Sequence, residues 1–300
     1  MKNNQFWKRA LHTKRILFGL AVMIPLGVVA VLAPWLAPHD PYEWGLDQSD
    51  LPPAWVQNAF EPGRAENPLG TDQYGRDILS RMLYGTRTAF FLALCAVPLA
   101  ALMGTVAGLL SGYLGGRLDR LIMFISDMLQ ALPSIMFMVI IILVMRSLLK
   151  PSWLNGMITL VAGFAAVSWV GLARLVRVSV MQLKSELFVE AAISLGASRR
   201  RILLQHLLPN ILHVILAWII NNIPAVILLE AVLGYIGIGV TSPNADNAFT
   251  VVSWGGMFFS GRSAISRNPL MLIIPSLCIL LISMSFIFLA DFIKSLSRPE

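Results

Sequence analysis

The side chains able to do chemistry are few in this sequence, and they are scattered. The four histidines, His12, His39, His206 and His213, form no HExxH, and no GxSxG nucleophile motif occurs. His206 and His213 are spaced to share a helix face, but Pro209 stands between them, and two histidines in capped helices are the simpler reading than a metal pair. Cys95 and Cys278 lie inside apolar runs far from any histidine, so neither a zinc pattern nor a disulfide framework is available. No Gly-Lys dipeptide exists, which excludes a phosphate-binding loop of the GxxxxGK[ST] type. No catalytic residue and no metal ligand is expected, and any ATP hydrolysis must belong to another chain.

The polar groups that stand out are those embedded in apolar sequence. Asp127 and Glu230 would each cost about 2.5–3.5 kcal/mol at a helix centre in lipid. They are either residues of a solute pathway or groups near the two interfaces, hydrated or paired with an arginine; their placement toward opposite ends of their stretches favours the second. Asn221 and Asn222, beside Pro224, fall at mid-stretch, where a solute or a partner helix could bond them.

These side chains must be carried by membrane helices. Only 13% of the 300 residues are charged and 57% are hydrophobic, against roughly 25% charged in a typical soluble domain. Such a chain cannot cover a water-facing surface, so lipid is its main solvent. The net charge of +7 fits basic cytoplasmic segments rather than a nucleic-acid partner, since no basic patch is interleaved with aromatics. A helix rises about 1.5 Å per residue across a hydrocarbon core of about 30 Å, so about twenty apolar residues make a span. Six stretches qualify: 16–37, 88–112, 121–145, 157–177, 210–233 and 270–291. Pro25, Pro98, Pro133, Pro224 and Pro275 fall inside them and are tolerable where neighbouring helices satisfy the freed carbonyls. The first stretch follows basic residues as a secretory leader would, but it is too long for a leader's apolar core and is read as a retained span.

With the N-terminus inside, most of the 23 Lys and Arg residues fall on the cytoplasmic side, Arg199, Arg200 and Arg201 among them, while the 38–87 loop is net acidic. Both termini are therefore expected in the cytoplasm. The chain divides into 1–87, comprising tail, first span and external loop, and 88–300, a transmembrane domain with a cytoplasmic loop at 178–209. A second, Gly-rich external loop covers 234–269.

The cytoplasmic loop is the most informative stretch. Glu186 to Asn210 reads ELFVEAAISLGASRRRILLQHLLPN. Leu187, Ala191 and Leu195 recur at helical spacing, flanked by Val189 and Ile193; Gly196 suits a left-handed cap, and Ser198 can cap a second helix running toward Pro209. On pattern alone this element is either a lipid-surface helix with arginines on phosphates or a docking element. The order Glu190-Ala191-Ala192, Gly196, then Ile202 through Asn210 resembles the cytoplasmic loop of ABC importer permeases. In that family the short helix before the glycine docks into a cleft of the ATPase subunit. The resemblance implies an ATPase-coupling role for Glu190, Ala191, Ala192, Gly196 and Ala197.

A second stretch, Asn67 to Arg87, reads NPLGTDQYGRDILSRMLYGTR. Thr71 or Asp72 can initiate a turn, Asp77 and Arg81 are spaced as an i,i+4 helix pair, and Ile78, Leu79, Met82 and Leu83 would face the membrane or partner spans. A local latch is the favoured reading over direct substrate contact. Gly70 to Asp72, Gly75 to Asp77 and Ser80-Arg81 resemble a motif of the permease branch that imports dipeptides, oligopeptides and nickel, in the second member of its permease pair. Gly112 to Gly116, Leu132 to Ser134 and Glu230 to Gly239 also look familial.

The resemblance implies an all-α, six-span, type I ABC importer permease fold in the bacterial inner membrane. It implies a second homologous permease, two ATPase subunits holding ATP and Mg, and an external substrate-binding protein. Peptides are the expected solute, with nickel, glutathione or an oligosaccharide as alternatives. The rival class, a stand-alone secondary transporter or channel, calls for an inverted repeat or clustered ionisable residues at mid-membrane, and neither is found.

Overall fold

Long apolar runs have no water with which to satisfy their backbone groups, so they must bond internally, and this chain does so as helices. The computed structural model describes residues 14–43, 45–56, 62–149, 153–238, 252–265 and 268–296. In chain order the helices are α1 (Lys14–Leu36), α2 (Ile78–Leu114), α3 (Gly116–Ala131), α4 (Ser134–Leu148), α5 (Trp153–Lys184), α6 (Leu187–Ser194), α7 (Arg199–Ile236), α8 (Trp254–Ala264) and α9 (Leu270–Leu296). Among the described residues there is no β-strand, and Thr71 and Asp77 form an isolated bridge.

Five of these helices, α1, α2, α5, α7 and α9, are long and apolar enough to cross a membrane. The third expected span, 121–145, is not one continuous helix. It is the pair α3 and α4, bent by 96° at Leu132-Pro133; counting the pair as one span gives six. Leu132 adopts an extended backbone (φ −88°, ψ 141°), the conformation that a following proline favours, and Pro133 has no N–H to continue the ladder. Pro25, Pro98, Pro224 and Pro275 remain inside continuous helices.

Two other boundaries shift. α2 starts ten residues before the expected 88 because Asp77 caps it: its Oδ2 accepts from the N–H and the hydroxyl of Ser80, each at 2.7 Å. The stretch 178–209 is largely helix continuous with the spans. α5 runs on to Lys184, and α7 begins at Arg199 and passes Pro209 through a π-helical stretch, Ile202–Leu207. The missing N–H of Pro209 accounts for that stretch, and Asn210 Nδ2 donates to the His206 carbonyl at 2.5 Å.

The chain forms two compact units. The first comprises 1–94, 149–158 and 223–289. In it the 67–81 stretch folds around Asp72, which is fully buried: Oδ1 accepts from the N–H groups of Tyr74 (2.9 Å) and Arg76 (3.0 Å), and Oδ2 accepts from Arg76 Nε (2.8 Å). Asn268 Nδ2 donates to the Leu69 carbonyl at 2.9 Å, and Thr88 Oγ1 to that of Val252 at 2.6 Å, tying this stretch and the start of α2 to the residues around α8. The expected Asp77–Arg81 pair is absent. Arg81 instead lies buried, 3.7 Å from Asp72 and bonded to the Pro41 carbonyl at 3.3 Å, because Asp77 is occupied by Ser80 and Asn67. Ile78 and Met82 are likewise buried within the chain rather than turned outward. The latch reading thus holds, with different partners.

The second unit comprises 95–148, 159–222 and 290–300. Gly104, Gly108 and Gly112, one per helical turn of α2, lie so close to α5 that an added Cβ would stand 2.6 Å from the carbonyls of Trp169 and Ala173 and 2.8 Å from that of Arg177. Small residues at this spacing let two membrane helices touch backbone to backbone. The same pair of helices is fastened at one end by Arg177, whose Nε and Nη2 donate to the two oxygens of Asp119 at 2.6 and 2.7 Å, and by Lys184 Nζ on the Tyr113 carbonyl at 2.8 Å.

Candidate functional site

α6 is eight residues long, too short to be stable alone, so its position depends on what it packs against. One face is anchored. Ala192 is buried, and Val189 is fully buried in a cluster with Leu109 and Tyr113 of α2, Val176 and Val180 of α5, and Ile202, Leu207 and Ile211 of α7. The opposite face is bare. Leu187 is 81% exposed and Leu195 88%, with Ala191 exposed between them, one helical turn apart. The apolar row legible in the sequence is therefore the outward row, and the anchor is its flanking Val189. Fully burying one exposed leucine stabilises by about 1.5–3 kcal/mol, so a partner that covered both would gain several.

The helix ends in a closed cap. Ala197 N–H bonds to the Ala192 carbonyl at 3.0 Å and Gly196 N–H to that of Ile193 at 2.9 Å, the paired bonds of a Schellman motif. Gly196 has φ +78°, the left-handed conformation that a side chain resists, and a Cβ there would meet nothing within 4 Å. Glycine is required by the backbone at this point and not by crowding. Ser198 then caps α7, its hydroxyl accepting from the Arg201 N–H at 3.4 Å. Glu190, Arg199, Arg200 and Arg201 are exposed around this turn. Of the expected coupling residues, Ala192 and Ala197 lie on the packed side and Glu190, Ala191 and Gly196 on the open one.

The polar residues expected in the membrane stretches separate. Asp127 makes an exposed ion pair with Arg174 at 2.5 Å, which satisfies the pairing reading. Glu230 has no arginine partner among the described residues. It is buried beside Gly255 at the start of α8, where Gly255 and Gly234 bring the two backbones together, and its Oε1 has no hydrogen-bond partner among the described residues. Asn221 and Asn222 turn back on their own helix, donating to the carbonyls of Ala217 (2.7 Å) and Trp218 (2.9 Å). The structure does not bring Asp127 and Asn221 or Asn222 into a common hydrogen-bonded site. Gly239, at the end of the 230–239 motif, lies outside the described residues.

Two features of this site escaped the sequence reading. The GxxxGxxxG spacing at 104–112 was present as a signal, whereas the Asp119–Arg177 clamp joins residues too far apart in sequence to be paired from spacing.

Comparison with known proteins adds to this geometry. Residues 104–299 match the family described as binding-protein-dependent transport system inner membrane component, and residues 4–53 match the N-terminal TM domain of oligopeptide transport permease C. The chain is 30% identical to the oligopeptide transport system permease protein OppC of Bacillus subtilis, over 100% of this chain and 91% of that protein. It is 33% identical to the di/tripeptide transport system permease protein DppC of Pseudomonas aeruginosa, over 99% and 91% of the two. It is 32% identical to the glutathione transport system permease protein GsiD of Pectobacterium atrosepticum, over 99% and 90%.

Proposed function

The chain belongs to the family of binding-protein-dependent transport system inner membrane components, and we propose that it forms, with a second homologous permease, the path by which peptides enter the cytoplasm at the expense of ATP hydrolysed on two separate subunits. An external binding protein delivers the solute, and both termini of this chain lie in the cytoplasm. Peptides are preferred because the similar proteins are named for oligopeptides and di- and tripeptides; glutathione is itself a tripeptide and falls within the same class.

The observation that carries the coupling assignment is α6, apolar on both faces yet packed on only one. A helix on a lipid surface would turn charge to water and apolar groups to the membrane. Here the outward face presents Leu187, Ala191 and Leu195 beside the glycine cap, a surface suited to an apolar cleft on an ATPase subunit. Closure of the ATPases would push on α6 and, through Val189, on the ends of α2, α5 and α7. ATP and Mg act on those subunits, and this chain supplies the contact that receives the motion.

The test is transport by the reconstituted importer. Wild-type complex in vesicles should accumulate a labelled dipeptide when ATP and binding protein are supplied. Leu187→Ser with Leu195→Ser should release the ATPase subunits on purification while leaving the permease pair folded. Retention of the ATPases and of full uptake would overturn the coupling assignment.

A further inference from the structure

In the first unit, the connection between α1 and α2 encloses a cavity of about 260 Å³, lined by His39, Asp40, Glu43, Gly45, Asp47, Gln48, Glu66, Asn67, Gly75 and Asp77. It has room for several waters. Five of the lining residues are carboxylates and none is Lys or Arg. Asp40 accepts from the Tyr42 N–H, and Asp77 is engaged by Asn67 and Ser80. Glu43, Asp47 and Glu66 are exposed at its margin, and their carboxylates make no hydrogen bond or ion pair among the described residues.

The floor adds an independent observation. Asn67 is 3% exposed; its Nδ2 donates to Asp77, and its Oδ1 is buried with no donor among the described residues. A buried acceptor left unsatisfied costs about 1–3 kcal/mol, so this atom calls for an incoming N–H or O–H. The unpartnered carboxylates of Glu43, Asp47 and Glu66 and Asn67 Oδ1 are all acceptors, the side chains of His39 and Gln48 being the only lining groups with donors to spare, and the margin is acidic with no Lys or Arg among its lining residues. A ligand that satisfies both must be cationic and carry several donors.

The shape of the cluster narrows the choice. Among the described residues no three His, Cys, Asp or Glu side chains converge closely enough to hold a metal ion, which disfavours an inorganic cation and favours an ammonium or guanidinium group. Every lining residue falls within 39–77, and none belongs to a membrane-spanning helix. A solute in transit must pass among the spans, whereas a protein docking at one mouth of the importer meets the connections between them. We propose that this cavity is a socket for a lysine or arginine side chain of the external binding protein, with Glu43, Asp47 and Glu66 attracting the cation and Asn67 Oδ1 receiving one of its N–H groups. The proposal rests on the permease reading given above.

The experiment uses the whole importer in lipid nanodiscs, titrated with its external binding protein while ATP hydrolysis is followed at low and high salt. The variant combines Glu43→Gln, Asp47→Asn and Glu66→Gln, all exposed positions whose loss leaves the fold intact. The half-saturating concentration of binding protein should rise about tenfold in the variant at low salt, with the rate at saturation unchanged and most of the salt dependence lost. An unchanged half-saturating concentration and salt slope would overturn the socket. So would a calcium effect on wild-type docking beyond that of choline chloride at equal ionic strength, which would indicate an inorganic cation. A defect confined to uptake of lysine-containing dipeptides, with docking unaltered, would assign the cavity to the solute and overturn the proposal equally. Failure of the binding protein to stimulate the wild-type importer would instead count against the permease reading itself.

Discussion

Gly196 and its neighbours separate a backbone requirement from a surface requirement. Because a Cβ at Gly196 has open space, Gly196→Val pays only for the left-handed conformation, about 1–2 kcal/mol and more for a branched side chain. We expect unchanged insertion, sharply reduced import and weakened stimulation of ATP hydrolysis by binding protein and solute. Gly196→Asn, which tolerates that conformation, should retain most import; uptake and ATPase measurements in vesicles check both. The two faces of α6 yield an opposite pair of outcomes. Val189→Asp buries an unpaired carboxylate and should destabilise the second unit by several kcal/mol, lowering the melting temperature of the purified chain, whereas Leu195→Ser should leave it unchanged. At this scale the sequence was partly legible. The glycine cap, the Ser198 cap and the Asp72 turn are local chemistry and follow from residue type. Which row of α6 faces outward was not legible, because Val189 and Leu187 are both apolar, and only the packing of α2, α5 and α7 decides between them.

Among the helices, Pro133 alone breaks the run; Pro209 is passed after a π-helical stretch, and five other prolines leave their helices intact. Pro25, Pro34, Pro98, Pro224 and Pro275 share its chemistry, so the missing N–H does not by itself dictate a break; the extended backbone of Leu132 before it does. Hydropathy could not reveal the 96° bend, since α3 and α4 together read as one apolar stretch. The glycine row of α2 makes a sharper prediction. Gly108→Leu would drive a side chain into the Ala173 carbonyl and Val176, where a Cβ alone already stands 2.6 Å from each. Overpacking of this kind costs about 1–3 kcal/mol, and here the backbone must separate. The variant should insert but lose resistance to mild denaturing detergent, measured as helicity against detergent fraction, while Gly171→Ala, which has room, should behave as wild type.

For the molecule as a whole, the number and approximate position of the spans were legible because the bilayer imposes a length on any apolar helix. The division into two units, whose boundaries fall inside α2, α5, α7 and α9, was not, since hydropathy is uninterrupted across them. The expected sidedness rests on the distribution of Lys and Arg and is open to direct test. With Cys95 and Cys278 removed, a cysteine at Arg64 should react with an impermeant thiol reagent in intact cells, and one at Ser198 only after the membrane is opened. The reverse pattern would invert the assignment. The glycine row carries one more consequence. Backbones in contact over two turns leave no space for a lipid chain or a rotamer change, and the Asp119–Arg177 fork fixes their rotation. The 104–112 stretch of α2 and the 169–180 stretch of α5 can then only travel together, as a stiff double rod. A force applied at Val189 arrives there as a displacement of the whole rod rather than as bending within it.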